Sequence, residues 1–148
     1  MELPSWVPSE LLKTRAGAFV SIHKFGSLRG CIGTIAATKE NLAFEIIHNA
    51  VSAVSEDPRF QPVTEDELKY LDINVDVLGE AEKISSTAEL DVKKYGVIVQ
   101  SGYKRGLLLP DLDGVDTVEQ QIVIARHKGG IALGEDVELF RFEVVRHY

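Results

Sequence analysis

Between Ala18 and Lys24, Val20 and Ile22 fall on one side of the chain and Phe19, Ser21 and His23 on the other. A period of two with β-branched residues on the more apolar side predicts a strand. Phe25-Gly26-Ser27 predicts a hairpin turn into a second strand over 28–35. The period then changes, because Leu42, Ile46, Ala50 and Val54 recur every fourth residue with Ala43, Ile47 and Val51 beside them. That stripe predicts a helix over 39–55 with Thr38 as its N-cap. The helix must end before Asp57-Pro58, since the residue preceding a proline is pushed out of the α region.

Thr64 with Glu67, Ser86 with Glu89, and Thr117 with Gln120 have capping-box spacing and predict three helical starts. The last opens a helix carrying Val118, Ile122 and Ala125 that Gly129-Gly130 stops. From Leu71 to Leu78, Ile73, Val75 and Val77 alternate with Asp72, Asn74 and Asp76, as in a strand with one wet face. Val97 to Gln100 and Gly106 to Leu109 form a further hairpin around Ser101-Gly102, closed by Pro110. A final strand over 137–146 shifts its apolar phase between Leu139 and Phe140, which predicts a bulge. Strands and helices mix without regular βαβ alternation, so the class is α+β, with an antiparallel or mixed sheet and packed helices.

The 148 residues carry no Ser- or Pro-rich linker, low-complexity tract or internal repeat, and residues 1–148 are read as a single domain. Sixteen Lys and Arg against 23 Asp and Glu give a net charge of −7, which disfavours wholesale nucleic-acid binding. Small basic clusters such as Arg126 with Lys128 read as solvated surface. A single cysteine, Cys31, excludes an internal disulfide and a Cys-rich zinc site. No apolar run approaches the roughly 20 residues of a membrane span, and residues 1–8 lack a signal-peptide layout. A cytoplasmic protein is expected.

Chemistry concentrates in Leu28-Arg29-Gly30-Cys31-Ile32-Gly33. A period of two places Arg29, Cys31 and Gly33 on one face, with Arg29 and Cys31 roughly 7 Å apart at Cα. A guanidinium there could favour the thiolate. Gly30 and Gly33 mark a bulge or a close approach of ligand or backbone. The bland alternative makes Cys31 a small buried hydrophobe and the glycines relief for crowding beneath a helix. His23 is the candidate base for Cys31, although a solvated strand histidine is the commoner outcome. The four histidines, His23, His48, His127 and His147, show no metal-ligand spacing, so neither a metal nor a cofactor is expected. In Asp57-Pro58-Arg59-Phe60, Asp57 reads as a helix-end turn and Phe60 as a core anchor, while Arg59 brought near Arg29 would make an anion-recognition pair.

Phe19 to Lys24 followed by Leu28 to Thr34 resembles the signature of the AMMECR-type domain family. Asp57-Pro58-Arg59-Phe60-Gln61-Pro62-Val63 resembles its second motif, Ile73 to Leu78 its central strand, Gly106 to Pro110 its Gly-Leu-Leu-Leu-Pro turn, and Lys128-Gly129-Gly130-Ile131 its Lys-Ala-Gly-Leu segment. The resemblance is greatest to the branch called AmmeMemoRadiSam system protein A, whose name records association with a Memo-like protein and a radical SAM protein. It implies an α+β fold with a smaller subdomain and a cleft beside the six-residue motif, and no established reaction. Cys31, Arg29 and His23 are then candidate catalytic residues, and Arg59, Gly30, Gly33 and Lys128 candidate binding residues. A binding module working with partner proteins, on a peptide, a modified nucleic acid or a small anionic ligand in that cleft, is preferred over an enzyme acting on a small or nucleotide-like anion. Two departures stand out. The family's leading helix is missing before Leu3, which implies that Leu3 to Leu12 or a second copy covers some apolar surface. Gly129 also replaces an alanine, which is expected to loosen the helix end.

Overall fold

Alternation in the first forty or so positions does what a hairpin requires, and the computed structural model, which describes residues 2–148, places β1 over Ala18–Lys24 and β2 over Ser27–Gly33. Met1, part of the segment read for targeting signals, lies outside the described residues. A short helix α1 (Ser9–Lys13) precedes the hairpin, and α2 (Leu42–Ser55) and β3 (Leu71–Leu78) follow it. Next come β4 (Glu82–Ile84), β5 (Gly96–Ser101), β6 (Lys104–Leu108), α3 (Val118–Gly129), β7 (Glu138–Phe142) and β8 (Val144–His147). The strands form two four-stranded sheets, ordered β2-β1-β3-β8 and β4-β7-β5-β6. The architecture is α+β. The chain divides into two compact units, one running to Leu78 and including Val145–Tyr148, the other Gly79–Val144.

In the first unit α2 packs on one face of its sheet, around buried Val20, Ile22 and Ala53 with Ile46, Ala50, Val54 and Val75 against them. The helix begins at Leu42, later than the expected start, and its cap is Asn41, whose side chain accepts from the Phe44 N–H at 3.0 Å. Thr38 serves another purpose. Glu45, only 1% exposed, accepts from the Thr38 hydroxyl and N–H, the Lys39 N–H and the Thr34 hydroxyl. Residues 34–39 therefore wrap a buried carboxylate instead of entering the helix. Burial pushes that carboxyl up most strongly of any single influence, and the hydrogen bonds together overcome it and hold the pKa below the ordinary value. α1 packs against α2, within the segment expected to fold back, while Trp6 stays 78% exposed.

β1 lies between its two neighbours, both antiparallel to it, so Ser21 sits opposite Cys31 on β2 and Asn74 on β3. The β1–β2 register slips by one residue. His23 pairs with Leu28 but Ile22 pairs with Gly30, which leaves Arg29 as an extra residue in a bulge. The expected wet face of β3 is also modified: Asp76 is 1% exposed and held by Arg146 of β8 at 2.6 Å.

The second unit buries Val97, Val99, Leu108, Ala125 and Ile131 in its own core. Thr117 and Gln120 cap α3 reciprocally, and Gly130 ends it in the left-handed region at φ 68°. The helix keeps its geometry through Gly129, where a Cβ would come within 2.7 Å of the Arg105 carbonyl carbon. The glycine therefore permits close packing on β6. The single bulged strand expected over 137–146 is instead two strands, β7 and β8, parted at Glu143 and belonging to different sheets. Among the described residues no helix is long and apolar enough to cross a membrane.

Candidate functional site

The six-residue motif occupies β2, an edge strand. Gly30 faces α2, and a Cβ there would lie 2.4 Å from the Ala53 carbonyl oxygen. Only a residue without a side chain lets strand and helix backbones meet this closely. Gly33 faces the other way, where a Cβ would strike the Phe19 ring. That second face, turned from α2, also carries Ser21, Cys31 and Asn74, as their cross-strand pairing requires.

Cys31 is partly buried, and its Sγ lies 3.3 Å from the Ser21 hydroxyl, which is itself buried. The polar neighbour of the thiol is thus Ser21 and not His23, which pairs across the sheet with Leu28 and Asp72. The Cys31 backbone points outward from the sheet edge. Its N–H donates to Asp57 Oδ2 at 3.0 Å, and its carbonyl accepts from Arg59 Nη2 at 3.4 Å. Asp57 and Arg59 also grip each other in a two-point fork, Nε to Oδ1 at 3.0 Å and Nη2 to Oδ2 at 2.8 Å. The Arg59 guanidinium chiefly, with help from the Cys31 N–H and against the opposing effect of burial, brings the Asp57 pKa down to about 2. Asp57 is buried at 5% exposure, whereas the Arg59 side chain is half exposed. Phe60, the expected anchor, is partly buried beneath that guanidinium, 5.4 Å from its ring centre.

Arg29 is equally committed. Its Nε and Nη2 fork Glu67 at 3.0 and 3.1 Å, and its Nη1 and Nη2 donate to the carbonyls of Gln61 and Pro62 at 2.8 and 3.3 Å. Glu67 takes a further bond from Lys24 and reaches back to the Thr64 N–H. Arg29 chiefly, then Thr64 and Lys24, hold its pKa far below the ordinary carboxylate range. The two arginines therefore stand on one strand edge, each already matched by a carboxylate of the chain. Lys128 belongs to α3 in the second unit. That unit contains an open cavity of about 370 Å³ lined by Gln100, Ser101, Gly102, Asp136, Val137 and Glu138, none of them among the catalytic or binding candidates read from the sequence. Among the described residues no group of three or more His, Cys, Asp and Glu side chains is placed to hold a metal.

Sequence reasoning missed Glu67 as the partner of Arg29 and Asp57 as the ligand of the Cys31 N–H. The capping-box spacing identified Glu67 as a local acceptor, but nothing local marked its second role.

Among known proteins, one from Thermotoga maritima is 57% identical over 143 residues, covering 95% of this chain and 82% of its own length. A Clostridium acetobutylicum protein is 52% identical over 99% of this chain, which spans 31% of that longer protein. The crystal structure of an uncharacterized protein from Pyrococcus horikoshii superposes with a TM-score of 0.89 at 30% identity, covering 99% of this chain and 79% of the other. The AMMECR1 family model matches residues 3–147, and this chain is a member of the AMMECR1 family.

Proposed function

We propose that this chain is a non-catalytic, cytoplasmic binding module that works with partner proteins and uses the sheet face carrying Phe19, Ser21, Cys31 and Asn74. The observation that carries the reading is the pairing around Cys31. Its thiol neighbours a serine hydroxyl at 3.3 Å, and the nearby guanidiniums are forked by Glu67 and Asp57. A nucleophilic cysteine works with a base within hydrogen-bond reach, and no such bond to Cys31 is made among the described residues. The face joins an aromatic ring, a thiol, a hydroxyl and an amide, and the exposed side of Arg59 stands at its rim. A peptide or a small ligand with a carboxylate suits that mixture. The resemblance to the AmmeMemoRadiSam branch supplies the partner class, a Memo-like protein and a radical SAM protein.

Calorimetric titration of the purified chain against a Memo-like protein and a radical SAM protein tests the proposal. Binding to at least one is expected, weakened at least about tenfold by Asn74→Ala and blocked by the bulk of Cys31→Trp, but within about threefold of wild type in Cys31→Ser. No binding to either protein, or turnover that Cys31→Ser abolishes, would overturn it.

A further inference from the structure

An edge strand presents unpaired N–H and C=O groups that invite a strand from another molecule, and proteins manage that hazard by covering the edge, charging it or placing proline beside it. β2 is such a strand, at one end of the β2-β1-β3-β8 order. At its middle, both outward groups of Cys31 are occupied by side chains from a single short segment, the N–H by Asp57 and the carbonyl by Arg59. Nearer its start, the Arg29 side chain holds the carbonyls of Gln61 and Pro62. Residues 57–62 therefore run beside the edge, tied to it at both ends. Pro58 and Pro62 have no N–H to offer, so the segment is itself a poor template for further pairing. The Asp57 carboxylate is 2% exposed and could not be left there without these partners.

We propose that the segment Asp57–Pro62 is a strap that guards the β2 edge against pairing with β2 of a second copy of the chain. The two motifs that are separate in sequence then form one device, in which the second shields the backbone of the first. The strap concerns the backbone edge of β2, and it shares with the proposed binding face the side chain of Arg59, so self-association rather than ligand binding is the property that tests it.

The test uses the full chain and the variants Asp57→Ala/Arg59→Ala and Arg59→Gln, with folding checked by near-ultraviolet circular dichroism. Sedimentation velocity over a range of concentrations should show self-association at least about tenfold tighter in the double variant than in wild type, and detectably tighter in Arg59→Gln. Hydrogen exchange at the Cys31 amide should accelerate at least about tenfold in the dilute double variant and slow again as concentration rises, a signature of edge pairing. Folded variants that associate no more than wild type, or that associate with no protection of β2 amides, would overturn the strap. Should the double variant not fold, Arg59→Gln decides alone, since it leaves the Asp57 acceptor in place and alters a half-exposed side chain.

Discussion

At the scale of single residues, Asp57 carries the most physical content for its size. One carboxylate meets a backbone N–H, a guanidinium fork and the N–H of Arg59. Its pKa falls from the ordinary 3.8 to about 2. A depressed carboxyl adds stability that is present above its unfolded value and is lost as pH falls through the folded one. The shift corresponds to about 2 kcal/mol. The stability gap between wild type and Asp57→Asn, measured by urea unfolding, should therefore narrow by about 2 kcal/mol between pH 5 and pH 2. Glu45, Glu67 and Glu135 also have lowered pKa values, but they titrate in both proteins and cancel in the difference. A gap that stays constant across that range would mean that the fork does not hold the charge.

Elements impose a different kind of constraint, backbone against backbone. Gly30 and Gly33 sit in one strand and face opposite ways, the first against the Ala53 carbonyl of α2 and the second against the Phe19 ring. Gly30→Ala must move a helix, whereas Gly33→Ala needs only a side chain to turn. The first should cost about 2 to 3 kcal/mol in urea unfolding and the second less. Equal and small costs would show that α2 yields easily, and would return Gly30 to the list of ligand-approach positions. What was legible in the sequence at this scale was local: all three capping boxes occur where their spacing placed them, and the hairpin from Val97 forms, although Ser101 joins its first strand and pairs with Lys104, so that the turn is Gly102-Tyr103. What was not legible depended on distant partners. The start of α2 moved because Glu45 draws Thr38 to itself, and Arg29 finds Glu67 across 38 positions. An alternating pattern over 137–146 cannot say that its halves join different sheets.

For the whole molecule, the end of the chain returns to its beginning. Val145–Tyr148 belongs with the residues before Gly79, and Arg146 forks Asp76 across 70 positions. The Asp76 side chain is 1% exposed and that of Arg146 17%. A buried pair contributes little net stability over an apolar replacement, but breaking it strands a charge. Arg146→Ala should thus destabilise the protein by about 3 to 5 kcal/mol, and the double replacement Asp76→Leu/Arg146→Met should recover much of that. Thermal unfolding followed by circular dichroism reads both. A loss below about 1 kcal/mol in Arg146→Ala would mean that water reaches Asp76 readily. The family and the α+β class followed from motifs spread along the chain, whereas the buried ion pair needed the fold, since neither Asp76 nor Arg146 carries a local signal.

The bulge at Arg29 makes the hairpin a matter of parity. With a two-residue turn and no extra residue, Lys24 opposite Ser27 would bring Val20 opposite Cys31, and the thiol would point at α2. The single unpaired residue shifts the count from odd to even, so that Ser21 meets Cys31 and Gly30 takes the place beneath the helix. Which atoms of the motif face away from α2 is thus decided by one inserted residue, and the same letters read in the other phase would present Gly30 and Ile32 to the face turned from α2 and press a sulfur into the helix.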